Sequence, residues 1–323
     1  GFIGAGRLAR CLALSFSRAG YAVTAVASRT APSASRLASQ IESCAAYGDP
    51  QQVVDAADIV FLAVPDDSIG TTAHTLRFTA DAACAPHGKA LVHCSGASPV
   101  ELLATARDQG VSIGGFHPLY LFSGDLADLD RIAGCSVTIE ADGGLKDALT
   151  ALAVALRCHP LSIPPGGRML YHAAAHYAAS FALCSLAECV ALWRTLGFDE
   201  DDALRALLPM LSGTIETARD KGLPNALAGP VSRGDTGVVQ ITIVFTRAFE
   251  ARRIERGAQD RFFMPGVAHH LAERIDQRAD PVVGRADHPA AGFQRAHGPF
   301  GVQVVRQRQI DRVDLLVGQQ CLI

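Results

Sequence analysis

Gly4-Ala5-Gly6-Arg7-Leu8-Ala9 decides the reading of this chain. It is a G-x-G-x-x-A run set between an apolar stretch, Phe2-Ile3, and a helical pattern carrying Leu8, Leu12, Leu14 and Phe16. Gly20 ends that pattern, and Tyr21 to Val26 reads as a second strand. The unit is therefore βαβ. In such a unit the first glycine permits a tight turn and the second lets the backbone approach a pyrophosphate. The small third residue lets the helix pack closely on the strand. The helix N-terminus adds free N–H groups and the positive end of its dipole. Gly4, Gly6, Arg7, Leu8 and Ala9 are thus candidate cofactor-binding residues. The first strand is nearly absent, and the sequence reads as one clipped at its N-terminus.

The end of the second strand selects the dinucleotide. An NAD site usually places Asp or Glu there to hold the ribose 2′-hydroxyl. Here the stretch is Ser28-Arg29-Thr30, and no acidic residue precedes Glu42. The planar fork of Arg29 suits a 2′-phosphate, and the hydroxyls of Ser28 and Thr30 can donate to it. NADP is therefore expected over NAD. The competing reading makes Arg29 a solvated loop residue.

Length and composition set the outer limits. A chain of 323 residues accommodates two domains, and a net charge of -3 lacks the basic footprint of a nucleic-acid binder. Nine cysteines occur with no C-x-x-C pair. That usage suits the reducing cytoplasm rather than a disulfide framework or a zinc site. No signal-peptide pattern is visible. Met169 to Trp193 is the most apolar long stretch, yet it holds His172, His176, Ser180 and Glu188. It reads as a buried helix of a soluble protein, not a membrane span.

Strand and helix patterns alternate up to about residue 163. Asp58 to Pro65, Ala90 to Gly96, Val111 to Phe116 and Cys135 to Ile139 read as strands. The expected fold is α/β, a doubly wound parallel Rossmann sheet followed by an all-helical C-terminal domain. Ligands in such sheets sit outside the carboxyl ends of the strands. Val64, Pro65, Asp66, Ser95, Gly96 and His117 are thereby placed near the cofactor. Pro160 to Arg168 reads as a linker. The expected boundaries are 1–163 for the Rossmann domain, 164–239 for a helical domain, and 240–323 for an anomalous tail. A cleft between the first two would bring substrate to the nicotinamide.

At the level of motifs, the chain resembles bacterial oxidoreductases that join a Rossmann-like domain to a DUF2520 domain. The runs that carry the likeness are Gly1 to Arg29, Val60 to Ser68, His93 to Ala97, Gly115 to Leu119, Tyr171 to Ala175 and Gly229 to Asp235. It extends to about residue 239. Wider relatives would be pyrroline-5-carboxylate reductase, prephenate dehydrogenase and enzymes with a 6-phosphogluconate dehydrogenase C-terminal-like domain. The resemblance implies an NADP-dependent oxidoreductase and a homodimer formed through the helical domain. Two positions depart from the family pattern. Ser180 stands where the family tends to carry Asn, and Ala228 where it tends to carry Thr. Ser180 is therefore a candidate substrate contact.

Hydride transfer belongs to the cofactor, so the protein must orient the substrate and manage one proton. His117 and His172 are the candidate catalytic residues, because imidazole titrates near neutral pH. For His117 the alternative is a ring that braces its loop. His172 and His176 share a helix face, but no third metal ligand accompanies them, so no metal is expected. Arg233 is a candidate clamp for a substrate carboxylate, with Asp235 to orient it, unless the two simply stabilise their loop. His93 is expected in the core.

The last stretch differs from the rest. From Gln240 to Ile323 there are 12 Arg and no Lys, Ser, Asn, Tyr or Trp. It reads as a frameshifted segment, against the alternative of a genuine extension, and is expected to lack a packed core. The leading functional expectation is hydride transfer to or from a small carbonyl, imine or hydroxy acid. The alternatives are a non-catalytic NADP-binding sensor and a Rossmann protein for another nucleotide. No nucleic-acid or membrane partner is expected.

Overall fold

The computed structural model describes residues 1–78, 88–164, 166–226, 228–235, 237, 295–297 and 303–305. The expectations for 240–323 lie outside these residues, except for two short strands, β9 (Arg295–His297) and β10 (Gln303–Val305), which pair antiparallel. The backbone divides into compact units 1–179 and 180–323.

The first unit is one eight-stranded sheet in the order β3-β2-β1-β4-β5-β6-β7-β8. Its strands are β1 (Phe2–Ile3), β2 (Ala25–Ala27), β3 (Ala45–Tyr47), β4 (Ile59–Leu62), β5 (Ala90–His93), β6 (Ser112–Pro118), β7 (Ser136–Glu140) and β8 (His159–Leu161). The intervening helices are α1 (Arg7–Arg18), α2 (Ala31–Ala38), α3 (Pro50–Ala56), α4 (Ile69–Thr75), α5 (Ala104–Arg107), α6 (Asp128–Arg131) and α7 (Gly143–Ala155). This is the doubly wound sheet expected.

Period-two alternation divides the core between the two faces of the sheet. Phe2, Val26, Phe61 and Val92 point to one side, where α1 and α7 cover them. Ile3, Ala25, Ala27, Val60, Leu62 and Leu91 point to the other, against α3, α4 and α5. Phe61 anchors the first side, its ring 5.1 Å from Phe2, 5.6 Å from Phe16 and 5.7 Å from Phe116.

The sheet is parallel only through β6. β7 runs antiparallel to β6, with Phe116 opposite Ile139 and His117 opposite Thr138. β8 then runs parallel to β7. The cause is the connection after Pro118, which holds only the one-turn α6. A parallel return needs a full crossover, so this chain reverses instead. Two other expectations also shift. β6 runs on through Pro118, so His117 lies inside a strand near its carboxyl end. The supposed linker begins with Pro160 and Leu161, which belong to β8.

After the sheet comes a continuous helical run, Arg168–Thr195. It comprises α8 (Arg168–His176), a π turn (Tyr177–Phe181) and α9 (Ala182–Thr195). The expectation of a buried helix is corrected here. Only 11% of its apolar window is buried, although its mean hydropathy of 1.4 and its length would suffice to cross a membrane. Met169, Leu170, Tyr177 and Leu183 are exposed, while Cys184 and Val190 are buried. In the second unit α9 packs on α10 (Glu200–Lys221) through Val190, Ala203 and Leu207. Asp199 caps α10 by accepting from the Asp202 N–H.

Candidate functional site

The glycine run performs two separate tasks. Gly4 has φ +110°, and a Cβ there would lie 2.2 Å from the Ala63 carbonyl oxygen. Its N–H donates to the Ala27 carbonyl at 2.8 Å. Gly4 therefore lets β1 fit between β2 and β4. Gly6 is the residue that faces outward: a Cβ on it would meet nothing within 4 Å. Ala9 is fully buried, as a close helix-to-sheet contact requires, and half-buried Leu8 packs on the core.

The start of α1 is left open. Gly6 offers no side-chain cap and the first turn holds no acidic residue. The start of α2 is similar, since Thr30 directs its hydroxyl to Ser33 Oγ at 2.8 Å and not to a backbone N–H. By contrast α3 is capped by Asp49, which accepts from Gln51 N–H at 2.9 Å. Between the start of α1 and the flank of α2 lies a cleft of about 240 Å³ whose lining includes Gly6, Arg7, Arg10, Ser33, Arg36 and Gly124. Arg10 donates to the Gly124 carbonyl at 2.8 Å, which ties the loop after β6 to α1. That loop is built on Asp128. Burial pushes its carboxyl up, but hydrogen bonds from Gly124 N–H, Ser123 and Tyr120 outweigh this and hold it below the usual range. Arg29 is exposed and makes no ion pair among the described residues. Ser33, Arg10 and Arg36 were missed by motif reading. Their signal was present, because positions 33 and 36 fall on the first two turns of a helix that begins at residue 31.

The carboxyl ends of β4 and β5 form the second part. Val64 packs partly on the core and Pro65 is exposed. Ser95 is committed within the protein: its hydroxyl donates to Asp66 Oδ2 at 2.8 Å and accepts from Ser98 N–H at 2.9 Å. His93 is fully buried and accepts from the Ser95 N–H through Nδ1 at 3.2 Å. Burial, with smaller contributions from Arg168 and His117, lowers its pKa to about 3.

Above this loop the two candidate catalytic histidines converge on Gly96. A Cβ there would lie 2.7 Å from His172 Nδ1 and 2.8 Å from His117 Nε2. His117 Nδ1 is 3.0 Å from the Tyr171 hydroxyl, a residue not singled out from the sequence for its chemistry. His172 Nε2 is 3.1 Å from His176 Nε2. Burial, then the neighbouring His172 and Arg168, lower His117 to about 4 against an opposing pull from Asp66. Burial and His176 also lower His172. Both rings are therefore neutral near pH 7. Arg168 secures the arrangement from beneath. It donates to Glu140 Oε2 at 2.9 and 2.6 Å and to the Ser95 carbonyl at 2.7 Å. Its Nη2 would be 2.7 Å from a Cβ on Gly115, so that glycine makes room for the guanidinium.

The remaining candidates lie in the second unit. Ser180 is in the π turn. Arg233 Nε donates to Asp235 Oδ2 at 3.0 Å across an exposed turn after α11 (Pro230–Arg233), the geometry of a loop-stabilising pair.

Known proteins share this architecture. Protein BF3122 from Bacteroides fragilis superimposes with a TM-score of 0.63 at 22% identity, over 86% of this chain and 97% of that one. A reductive aminase from Aspergillus terreus, in complex with NADPH and ethyl-5-oxohexanoate, gives 0.59 at 15% identity, over 84% and 93%. A pyrroline-5-carboxylate reductase from Coxiella burnetii gives 0.55 at 14%, over 87% and 98%. No curated protein matches the sequence. Residues 1–118 match the Rossmann-like domain, and residues 135–251 match the domain of unknown function DUF2520, a span that runs past residue 239. The chain thus carries a Rossmann-like domain followed by a DUF2520 domain.

Proposed function

We propose that this protein is an NADP-dependent oxidoreductase acting on a small carbonyl, imine or hydroxy-acid substrate. The observation that carries the cofactor assignment is the arginine-lined cleft between the uncapped start of α1 and the flank of α2. Uncapped N–H groups and the dipole of α1 suit a pyrophosphate. Arg7 and Arg36, with Arg29 and Thr30 at the end of β2, suit a further phosphate. Gly6 leaves room for the approach. The fold neighbours support the same reading, since one is a reductive aminase in complex with NADPH and another a pyrroline-5-carboxylate reductase.

The bound cofactor supplies or accepts the hydride. The work left to the protein is to hold the substrate and handle one proton beside Gly96. With the Tyr171 hydroxyl donating to Nδ1, neutral His117 carries its proton on Nε2, the ring nitrogen that faces Gly96. A neutral N–H there can donate to an oxygen or nitrogen that gains charge during reduction. His172 presents Nδ1 to the same point, and that atom has no hydrogen-bond partner among the described residues. Arg233, Asp235 and Ser180 remain the proposed substrate contacts of the second unit. The apolar α8–α9 run fits a homodimer through a 6-phosphogluconate dehydrogenase C-terminal-like helical region, and the free thiols suit the cytoplasm.

NADPH and NADH binding, measured by quenching or enhancement of the nicotinamide fluorescence, tests the first half. Tighter binding of NADPH is expected, and equal affinity would overturn the assignment. NADPH oxidation screened over keto acids, ketones with amines, and cyclic imines tests the second. Turnover with none of them, in a protein that binds NADPH tightly, would favour the sensor.

A further inference from the structure

Two thiols outside the candidate site stand side by side at the start of neighbouring strands. Cys135 precedes β7 and Cys158 precedes β8. The strands are parallel with Ser136 opposite His159, so the two cysteines face each other one step earlier. Neighbouring strands run about 4.8 Å apart, within the Cα separation of roughly 4.4–6.8 Å that a disulfide spans. The sulfurs are 3.7 Å apart and one thiol hydrogen-bonds the other. The backbone on both sides is pinned, with Gly134 N–H donating to the Arg157 carbonyl at 2.8 Å and His159 N–H to the Cys135 carbonyl at 2.9 Å. Cys158 is buried, and half-buried Cys135 gives a small oxidant its approach. Among the described residues no other two cysteines are joined by a hydrogen bond.

We propose that Cys135 and Cys158 are a modification site that forms a reversible disulfide on reaction with a hydroperoxide. The Cys158 thiolate attacks the peroxide, an S–O bond forms, the O–O bond breaks, and the leaving oxygen takes a proton. The product is a sulfenic acid and water or alcohol. Cys135 sulfur then attacks the sulfenic sulfur, the S–S bond forms, the S–O bond breaks, and hydroxide leaves as water with the proton from Cys135. The two thiols lose two electrons and the peroxide gains them. The hydrogen bond between the two sulfurs holds Cys158 below the usual thiol range against burial, and the same bond together with burial pushes Cys135 up. The bond would tie together the strand pair that carries Thr138, opposite His117, and Glu140, the partner of Arg168.

The test uses the full chain in its native state with near-stoichiometric hydrogen peroxide, followed by alkylation, digestion without reduction and mass spectrometry. The expected result is one linked peptide pair containing Cys135 and Cys158, with the free-thiol count falling by two and recovering with a dithiol reductant. In Cys135→Ser, checked for folding by circular dichroism, the Cys158 sulfenic acid is expected to persist and react with a dimedone probe. Over-oxidation of either cysteine without the linked peptide would overturn the proposal. A linkage formed only after denaturation would do so too. Neither readout depends on NADPH binding or turnover, so failure here leaves the functional reading untouched.

Discussion

His117 Nδ1 and the Tyr171 hydroxyl, on β6 and α8 respectively, lie 3.0 Å apart. With the hydroxyl as donor, this hydrogen bond leaves the proton of the half-buried neutral imidazole on Nε2. Tyr171→Phe removes it without removing the ring. The expected consequence is a mixture of His117 tautomers, visible in the ¹⁵N shifts of labelled histidine. With any substrate found to support turnover, a fall of about 10–100-fold in kcat is expected with little change in KM. Unchanged shifts in the variant would remove Tyr171 from the argument.

Acid should unfold this protein early. His93 and His117 have folded-state pKa values lowered to about 3 and about 4. An unfolded histidine titrates near 6.5, so below that pH the unfolded state binds more protons than the folded one. Stability is then fully present above roughly pH 7 and is lost as pH falls from about 6.5 toward 4. For His117 alone the loss is on the order of 3 kcal/mol. Urea unfolding at pH 7, 6, 5 and 4 should show this slope, and His117→Gln should reduce it to the part that His93 contributes.

Gly4 and Gly6 should separate fold from cofactor. Gly4→Ala would place a methyl 2.2 Å from the Ala63 carbonyl at φ +110°, and a loss of about 2–5 kcal/mol in chemical denaturation is expected. Gly6→Ala meets open space at an ordinary φ of -76°, so stability should hold. Its NADPH affinity should nevertheless fall by at least about tenfold, because the methyl occupies the approach to the α1 N-terminus. Equal stability of the two variants would contradict this division.

Arg7→Ala and Arg36→Ala should each weaken NADPH by about tenfold or more, near 1.4 kcal/mol. NADH should weaken much less, since it lacks the extra phosphate. A parallel loss for both cofactors in titration calorimetry would place these arginines on the pyrophosphate instead.

How much of this was legible depended on how local the signal was. Gly4, Gly6 and Ala9 announced the sheet because their spacing encodes a backbone conformation and a close contact. The reversal at β7 was not legible, since β7 carries the same β-branched pattern in either direction. Only the missing crossover between Pro118 and Ser136 gave it away, and a one-turn helix is a weak signal. His117 and His172 were legible as chemistry. Their meeting over Gly96 was not, because it joins β5, β6 and α8 through contacts far apart in sequence. Arg168 read as the end of a linker, yet its guanidinium is buried against Glu140 and Ser95.

The uncapped starts of α1 and α2 have one more consequence. Exposed helix ends that only water satisfies are stabilised further when an anion docks on them. Folding and cofactor occupancy are then thermodynamically linked: a ligand at 100 times its Kd adds about 2.7 kcal/mol. The melting temperature of this protein should climb with the logarithm of NADPH concentration. In a cell, the nicotinamide pool would set its lifetime as well as its activity.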